Sequence, residues 1–251
     1  MKFVTAKETL VALMQATSYV VEDVIIECGA EGWSLFAVDP ANVACVKAKI
    51  PEAAFDYYEL PGAFDGEVGR LPIDLSRLDD KLKAFDNGSQ VALETEDGKL
   101  IVSSGCLKYK LALLDQTVVR KPPSLPVLDL PVKVVMDAQT YLKAVKALAK
   151  LSDVVRFETA YNEKDGDVFM MTGKGDIDSA RLKVPVDTLL GYKPGNASSL
   201  INSDYLEDIA KSIKGAGEVE LEIGRDYPLI LRAKIHGVEA EYVVAPRIER
   251  D

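Results

Sequence analysis

The chain has 251 residues, 48% of them hydrophobic, which is enough for two compact cores with no low-complexity tail. A formal net charge of −10 excludes a uniformly basic coat while leaving room for a local concentration of lysine. Three cysteines (Cys28, Cys45 and Cys106) without C-x-x-C spacing fit a reducing cytoplasm, and no stretch nears the ~18 apolar residues of a membrane span. Lys7 and Glu8 interrupt the N-terminus before the apolar run of a leader could develop.

In chain order, periodicity predicts a helix over about 7–19 and strands at 24–28, 33–38 and 43–50. A second helix over 74–85 follows, then strands at 90–94, 99–103 and 106–114. Asp97-Gly98 has the composition of a tight hairpin turn. The segment VRKPPSLPVLDLPVK, 119–133, carries Pro122, Pro123, Pro126 and Pro131, which exclude both helix and central strand, so it reads as an extended connector. Leu125, Val127, Leu128 and Leu130 make it greasier than a plain spacer and point to a surface segment that helps form an apolar groove. Beyond it lie a helix over 137–151, strands at 154–159, 167–171 and 179–184, a helix over 203–213, and strands at 218–223, 228–235 and 238–244. His236-Gly237 is a second hairpin turn.

The order is written twice. SRLDDKLKAFDNGSQVALE at 76–94 aligns without a gap on DYLEDIAKSIKGAGEVELE at 204–222, with identities at Leu78/Leu206, Asp80/Asp208, Lys83/Lys211, Val91/Val219, Leu93/Leu221 and Glu94/Glu222. AKETL at 6–10 matches AQTYL at 138–142, EDVIIEC at 22–28 matches SDVVRFE at 152–158, and VKAKIP at 46–51 matches ARLKVP at 180–185. The fold class is therefore α+β: two tandem pseudo-equivalent domains of antiparallel sheet with two helices each. The boundaries are 1–118, the connector 119–133, and 134–251.

The third helix places Leu142, Val145, Leu148 and Ala149 on one face and Lys143, Lys146 and Lys150 on another, at i, i+3 and i+7. Arg77, Lys81 and Lys83 on the second helix, with Lys211 and Lys214 at the fourth, extend the pattern, and Lys83 and Lys211 share one repeat position. A solvated helix face is the plainer reading of any single helix. An acidic chain that segregates lysines onto its helices suits nonspecific contact with backbone phosphates of duplex DNA, since no Arg- or Asn-rich recognition helix is present to read bases.

Enzyme chemistry finds little to stand on. One histidine, His236, sits in a turn, and neither G-x-x-x-x-G-K-[ST] nor G-x-G-x-x-G occurs; GKGD at 173–176 has the wrong spacing. A carboxylate pair such as Asp39 with Asp56 or Glu59 is the remaining catalytic option. No metal or cofactor is implied.

Three segments carry a family resemblance: SLFAVDPANVACV (34–46), SSGCLKYKLALLD (103–115) and the terminal EYVVAPRIE (241–249). With the tandem repeat and the connector, they resemble the sliding clamps of the proliferating cell nuclear antigen type, the archaeal members most of all. The resemblance implies a DNA clamp fold and a homotrimeric ring whose helices face duplex DNA without sequence preference. It implies no catalysis and no membrane, a processivity role in a nucleoid-associated cytoplasmic setting, and docking of DNA polymerase, clamp loader, flap endonuclease and DNA ligase through short peptide motifs. The implied peptide groove comprises Val38, Val43, Leu125, Pro126, Leu128, Pro228, Val243, Ala245, Pro246 and Ile248. The implied subunit contact pairs an edge from Cys106 to Leu113, with Lys108, Tyr109 and Lys110, to an edge from Asp176 to Leu182, with Asp178 and Arg181. Departures from the family pattern are a first helix offering only Lys7, Asp80 where eukaryotic relatives often carry a basic residue, and Val243 where some carry tyrosine. The rival from another class is an oligomeric peptide-binding scaffold that encloses no DNA.

Overall fold

A computed structural model of the chain describes residues 1–60, 68–124, 126–162 and 166–248. The first repeat runs β1 (Lys2–Ala6), α1 (Lys7–Thr17), β2 (Asp23–Gly29), β3 (Gly32–Val38), β4 (Ala44–Pro51), β5 (Tyr57–Glu59), β6 (Gly69–Asp74), α2 (Leu75–Leu82), β7 (Gln90–Glu96), β8 (Lys99–Ser104) and β9 (Leu107–Ala112). The second runs β10 (Val132–Asp137), α3 (Ala138–Leu148), β11 (Val154–Asn162), β12 (Gly166–Lys174), β13 (Ser179–Pro185), β14 (Gly191–Lys193), β15 (Ser198–Asn202), α4 (Ser203–Ser212), β16 (Glu218–Ile223), β17 (Leu229–Ile235) and β18 (Val238–Val244). The two series match element for element, as the internal repeat requires.

The chain divides into two compact units: Met1–Pro40, Val46–Pro123 and Ile235–Ala240 in one, and Ala41–Cys45, Ser124–Lys234 and Glu241–Asp251 in the other. In the first, β1 lies between β5 and β7, and the sheet continues through β8 to β9, which ends it. In the second, β10 lies in the same way between β14 and β16, while β12 and β11 continue a separate sheet that β13 ends on one side and β15 on the other. The architecture is α+β, with antiparallel sheets and the helices packed in pairs, α1 with α2 and α3 with α4.

All four helices follow directly on the last residue of a strand, and at three of them a capping side chain explains the sharp change of direction. Asp74 accepts from the Arg77 amide at 3.0 Å, Asp137 from the Thr140 amide at 2.7 Å and Asn202 from the Asp204 amide at 2.8 Å. Asp97 (φ 48°) and His236 (φ 46°) each precede a glycine in the left-handed region, so both expected hairpin turns form. The first core centres on an aromatic cluster in which Phe3 stands 5.0 Å from Trp33 edge-on and 4.8 Å from Tyr58. The second buries Tyr141, Phe157, Phe169 and Tyr242, with the Tyr242 hydroxyl 3.0 Å from the Ser212 hydroxyl.

The structure adds strands that periodicity did not reveal: β1, β5, β6, β10, β14 and β15. Four of these run straight into helices with no turn residue to announce them. Pro72 lies inside β6, which is possible because β6 pairs with β2 on one side only. Val132 and Lys133, expected in the connector, open β10.

Candidate nucleic-acid and partner interfaces

The buried stripe of α3 is Ala138, Tyr141, Ala144, Val145 and Leu148, so Leu142 and Ala149 flank the core face rather than form it. Lys143 and Lys146 are exposed on the opposite face, and Lys150 is exposed in the turn that follows. These three lysines make no ion pair among the described residues, and their ammonium groups stand ready for an external anion.

The cations of α2 are differently placed. Arg77 is paired with Asp74 at 3.1 Å, and Lys83 bridges Asp79 at 2.8 Å and Asp80 at 3.1 Å. Hydrogen bonds that Lys83 donates to Asp79 and then Asp80 raise its pKa, so it stays charged but already has partners. Lys81 is half-buried with its ammonium 5.7 Å from the centre of the Tyr109 ring. Asp80 is thus one of two carboxylates holding Lys83. On α4, Lys211 repeats the arrangement with Asp208 at 2.8 Å, while Lys214 is exposed in the following turn.

The one lysine expected from α1 turns inward. Lys7 is 8% exposed, and its Nζ donates to the Phe85 carbonyl at 2.6 Å and to Asn87 Oδ1 at 3.0 Å. Beside it Glu8 accepts from the Gly88 amide at 2.6 Å, a bond that holds its carboxyl below the ordinary value. Both side chains therefore fasten the turn after α2 to α1, and neither offers a positive charge to solvent.

Among the expected groove residues, Val38 is buried and lines a cleft of about 570 Å3 under the first part of the connector, together with Phe36, Val119 and Pro122. Arg120 donates to the Asp39 carbonyl at 3.0 Å and secures that stretch of connector. In the second unit the Ala245 amide donates to the Val43 carbonyl at 2.8 Å, bringing those two groove positions together. Leu128, Pro228, Val243 and Pro246 are half-buried, Pro126 is exposed, and Leu125 lies outside the described residues. Val127 is 100% exposed and Ile248 71%, whereas Leu130 belongs to the core.

β9 and β13 are open edges, each ending its sheet. Two details of the expected subunit contact change. Cys106 is in the β8–β9 turn, and Asp176 to Asp178 form the turn before β13, which runs on to Pro185. Strand alternation also puts Tyr109 on the face opposite Lys108 and Lys110. Tyr109 packs 5.9 Å from Phe85 of its own chain, and Lys110 faces Glu96 at 3.8 Å. Arg181 is exposed on β13. Sequence reasoning passed over Leu107, 40% exposed on β9, and Ile177, 95% exposed beside β13. Their signal was only an apolar residue next to charge, Leu107 before Lys108 and Ile177 between Asp176 and Asp178.

The model of the proliferating cell nuclear antigen N-terminal domain matches residues 2–104. A DNA polymerase sliding clamp of Methanothrix thermoacetophila is 42% identical with all of both chains covered, and one of Methanosarcina acetivorans is 38% identical over 97% of each. The chain belongs to the DNA polymerase sliding clamps. Among solved clamps, an A. fulgidus PCNA described with the C-terminal region of FEN-1 bound has a TM-score of 0.90 at 33% identity, covering 100% of this chain and 99% of its own. A PCNA of Thermococcus kodakaraensis has a TM-score of 0.85 at 25% identity, covering 98% and 99%. Membership favours the clamp over the non-enclosing scaffold. It is also consistent with a non-catalytic role; of the carboxylates weighed as catalytic, Glu59 accepts from the Tyr57 hydroxyl at 2.6 Å. No helix among the described residues is long and apolar enough to cross a membrane.

Proposed function

We propose that three copies of this sliding clamp close into a ring around duplex DNA and hold polymerase and other replication and repair enzymes on the template. The β9 edge of one copy pairs with the β13 edge of the next; because the two edges differ, the interface is heterologous and rotation closes it. Lys108 and Lys110 meet Asp176 and Asp178 there, with Tyr109, Arg181, Leu107 and Ile177 at the seam. The observation that carries the DNA reading is the set of ion-pair-free lysines on α3, exposed in a chain of net charge −10. Lysine–phosphate attraction of this kind is salt-sensitive and indifferent to sequence, which suits sliding; topology supplies retention.

Partners dock as short peptides, an aromatic plug entering the apolar surface of Val38, Val43, Leu125, Pro126, Leu128, Pro228, Val243, Ala245, Pro246 and Ile248. Each buried Å2 of apolar area contributes roughly 25 cal/mol. The partners proposed are DNA polymerase, the clamp loader, a flap endonuclease and DNA ligase, in the cytoplasm at the nucleoid. The clamp itself turns over no substrate, and ATP hydrolysis belongs to the loader. Light scattering across a dilution series, followed by loading onto circular and linear DNA, tests this. A mass of three times 27.3 kDa and retention on circles but escape from linear ends are expected. A persistent monomer, or equal retention on both forms, overturns it.

A further inference from the structure

A cleft of about 620 Å3 opens at the carboxyl end of α3, and its walls carry Lys150, Asp153, Lys174, Asp176, Arg247 and Ile248. These come from three places distant in sequence, and the backbone holds them together. A Cβ at Gly175 would stand 2.5 Å from the Leu151 carbonyl oxygen, and one at Gly173 3.1 Å from that of Leu148. Only glycines let the β12–β13 turn press so closely on the end of α3 and carry Lys174 to the cleft. On the other wall the Arg247 amide donates to the Leu200 carbonyl at 2.7 Å, fixing the tail.

Lys150, Lys174 and Arg247 are all exposed, and none makes an ion pair among the described residues. Against them stand two carboxylates, so the cleft is cationic by one charge in a chain of net charge −10. Lys150 is also the last lysine of the α3 stripe. The positive track therefore does not stop with the helix; it turns through Lys150 into a recess lined by two further cations.

We infer that this cleft receives a backbone phosphate of the duplex beyond the α3 stripe, with Lys174 and Arg247 as its phosphate ligands. The inference rests on the proposal that α3 faces DNA. Phosphate is favoured over an acidic peptide because the cleft is continuous with that stripe. A planar guanidinium and two ammonium groups would surround a single anion in an otherwise acidic molecule.

The test is the salt dependence of binding of the assembled protein to a short fluorescein-labelled duplex, comparing Lys174→Gln/Arg247→Gln with Lys143→Gln/Lys146→Gln. Light scattering checks that each variant assembles like the parent. Removing one cation that neutralises a phosphate lowers the slope of log K against log salt by about 0.9. The expected result is a lower slope for both variants, with Lys174→Gln alone still binding a peptide from the C-terminal region of a flap endonuclease. An unchanged slope for the cleft variant, while the α3 variant falls, overturns the inference and leaves the α3 reading standing. Abolished peptide binding with an unchanged slope assigns the cleft to a protein partner and likewise overturns it. If neither variant lowers the slope, the α3 reading fails and the cleft falls with it.

Discussion

The helices α2 and α3 present two ways of carrying lysine. On α3 and in the turn after it the exposed lysines stand at i, i+3 and i+7, and they make no ion pair among the described residues. On α2 Lys83 sits three and four residues after Asp80 and Asp79, which neutralise it through the helix surface, and α1 beside it contributes Glu8 and a buried Lys7. Equal counts of cationic residues therefore do not mean equal attraction for DNA. The repeat supplies the same scaffold twice, and the neighbours of each lysine decide what it does.

Reversing the charge of the α3 stripe should separate the two helices most. Lys143→Glu/Lys146→Glu/Lys150→Glu is expected to cut polymerase processivity with loader present by about tenfold or more. Lys83→Glu, which replaces a charge already paired, should cost about two-fold at most; equal effects would sink the distinction. A smaller and opposite change is expected from Asp79→Asn/Asp80→Asn, which frees Lys83. DNA binding at low salt should tighten by about two- to five-fold, the gain fading as the Debye length shrinks toward ~8 Å at physiological salt. Weaker or unchanged binding in a salt titration would show that α2 does not face DNA.

Stability should respond less, and also locally. Asp74→Ala removes the α2 cap and should cost about 1 kcal/mol in denaturant unfolding of the first unit. The smallest effect concerns acid. Glu8, held by the Gly88 amide, and Asp137, held by the amide and hydroxyl of Thr140, have carboxyls below their ordinary values of 4.5 and 3.8. Groups depressed in the folded state add stability that is complete above those values and disappears as pH falls through the folded ones. Melting temperature should accordingly drop below about pH 4.5, and Glu8→Gln should flatten the upper part of that decline. An identical pH profile for the variant would count against the Glu8–Gly88 bond.

Much of the fold was legible because its signals are local. The duplicated LxDxxK pattern, the lysine spacing of α3 and the Asp-Gly and His-Gly turns all depend on residues within a few positions of each other. β6 and β10 were not legible. Their ends merge with helices, and Pro72 contradicts a strand until its place at the end of the sheet is seen, where no strand needs its missing amide and its carbonyl accepts from the Leu114 amide. Likewise Tyr109 is an apolar-capable residue among lysines in the sequence. Strand alternation turns it toward Phe85 and Lys81 and away from Lys108 and Lys110.

The order of amino acids was thus sufficient for the two-fold repeat, the four helices and the exposed lysine spacing of α3, because helical and strand periods translate directly into faces. It took the folded chain to settle that Lys7 is consumed by the turn after α2, that β9 and β13 are left as open edges, and that Lys174 and Arg247 reach the end of α3. Those outcomes depend on backbone approaches and hydrogen bonds between residues tens of positions apart, which no local period encodes.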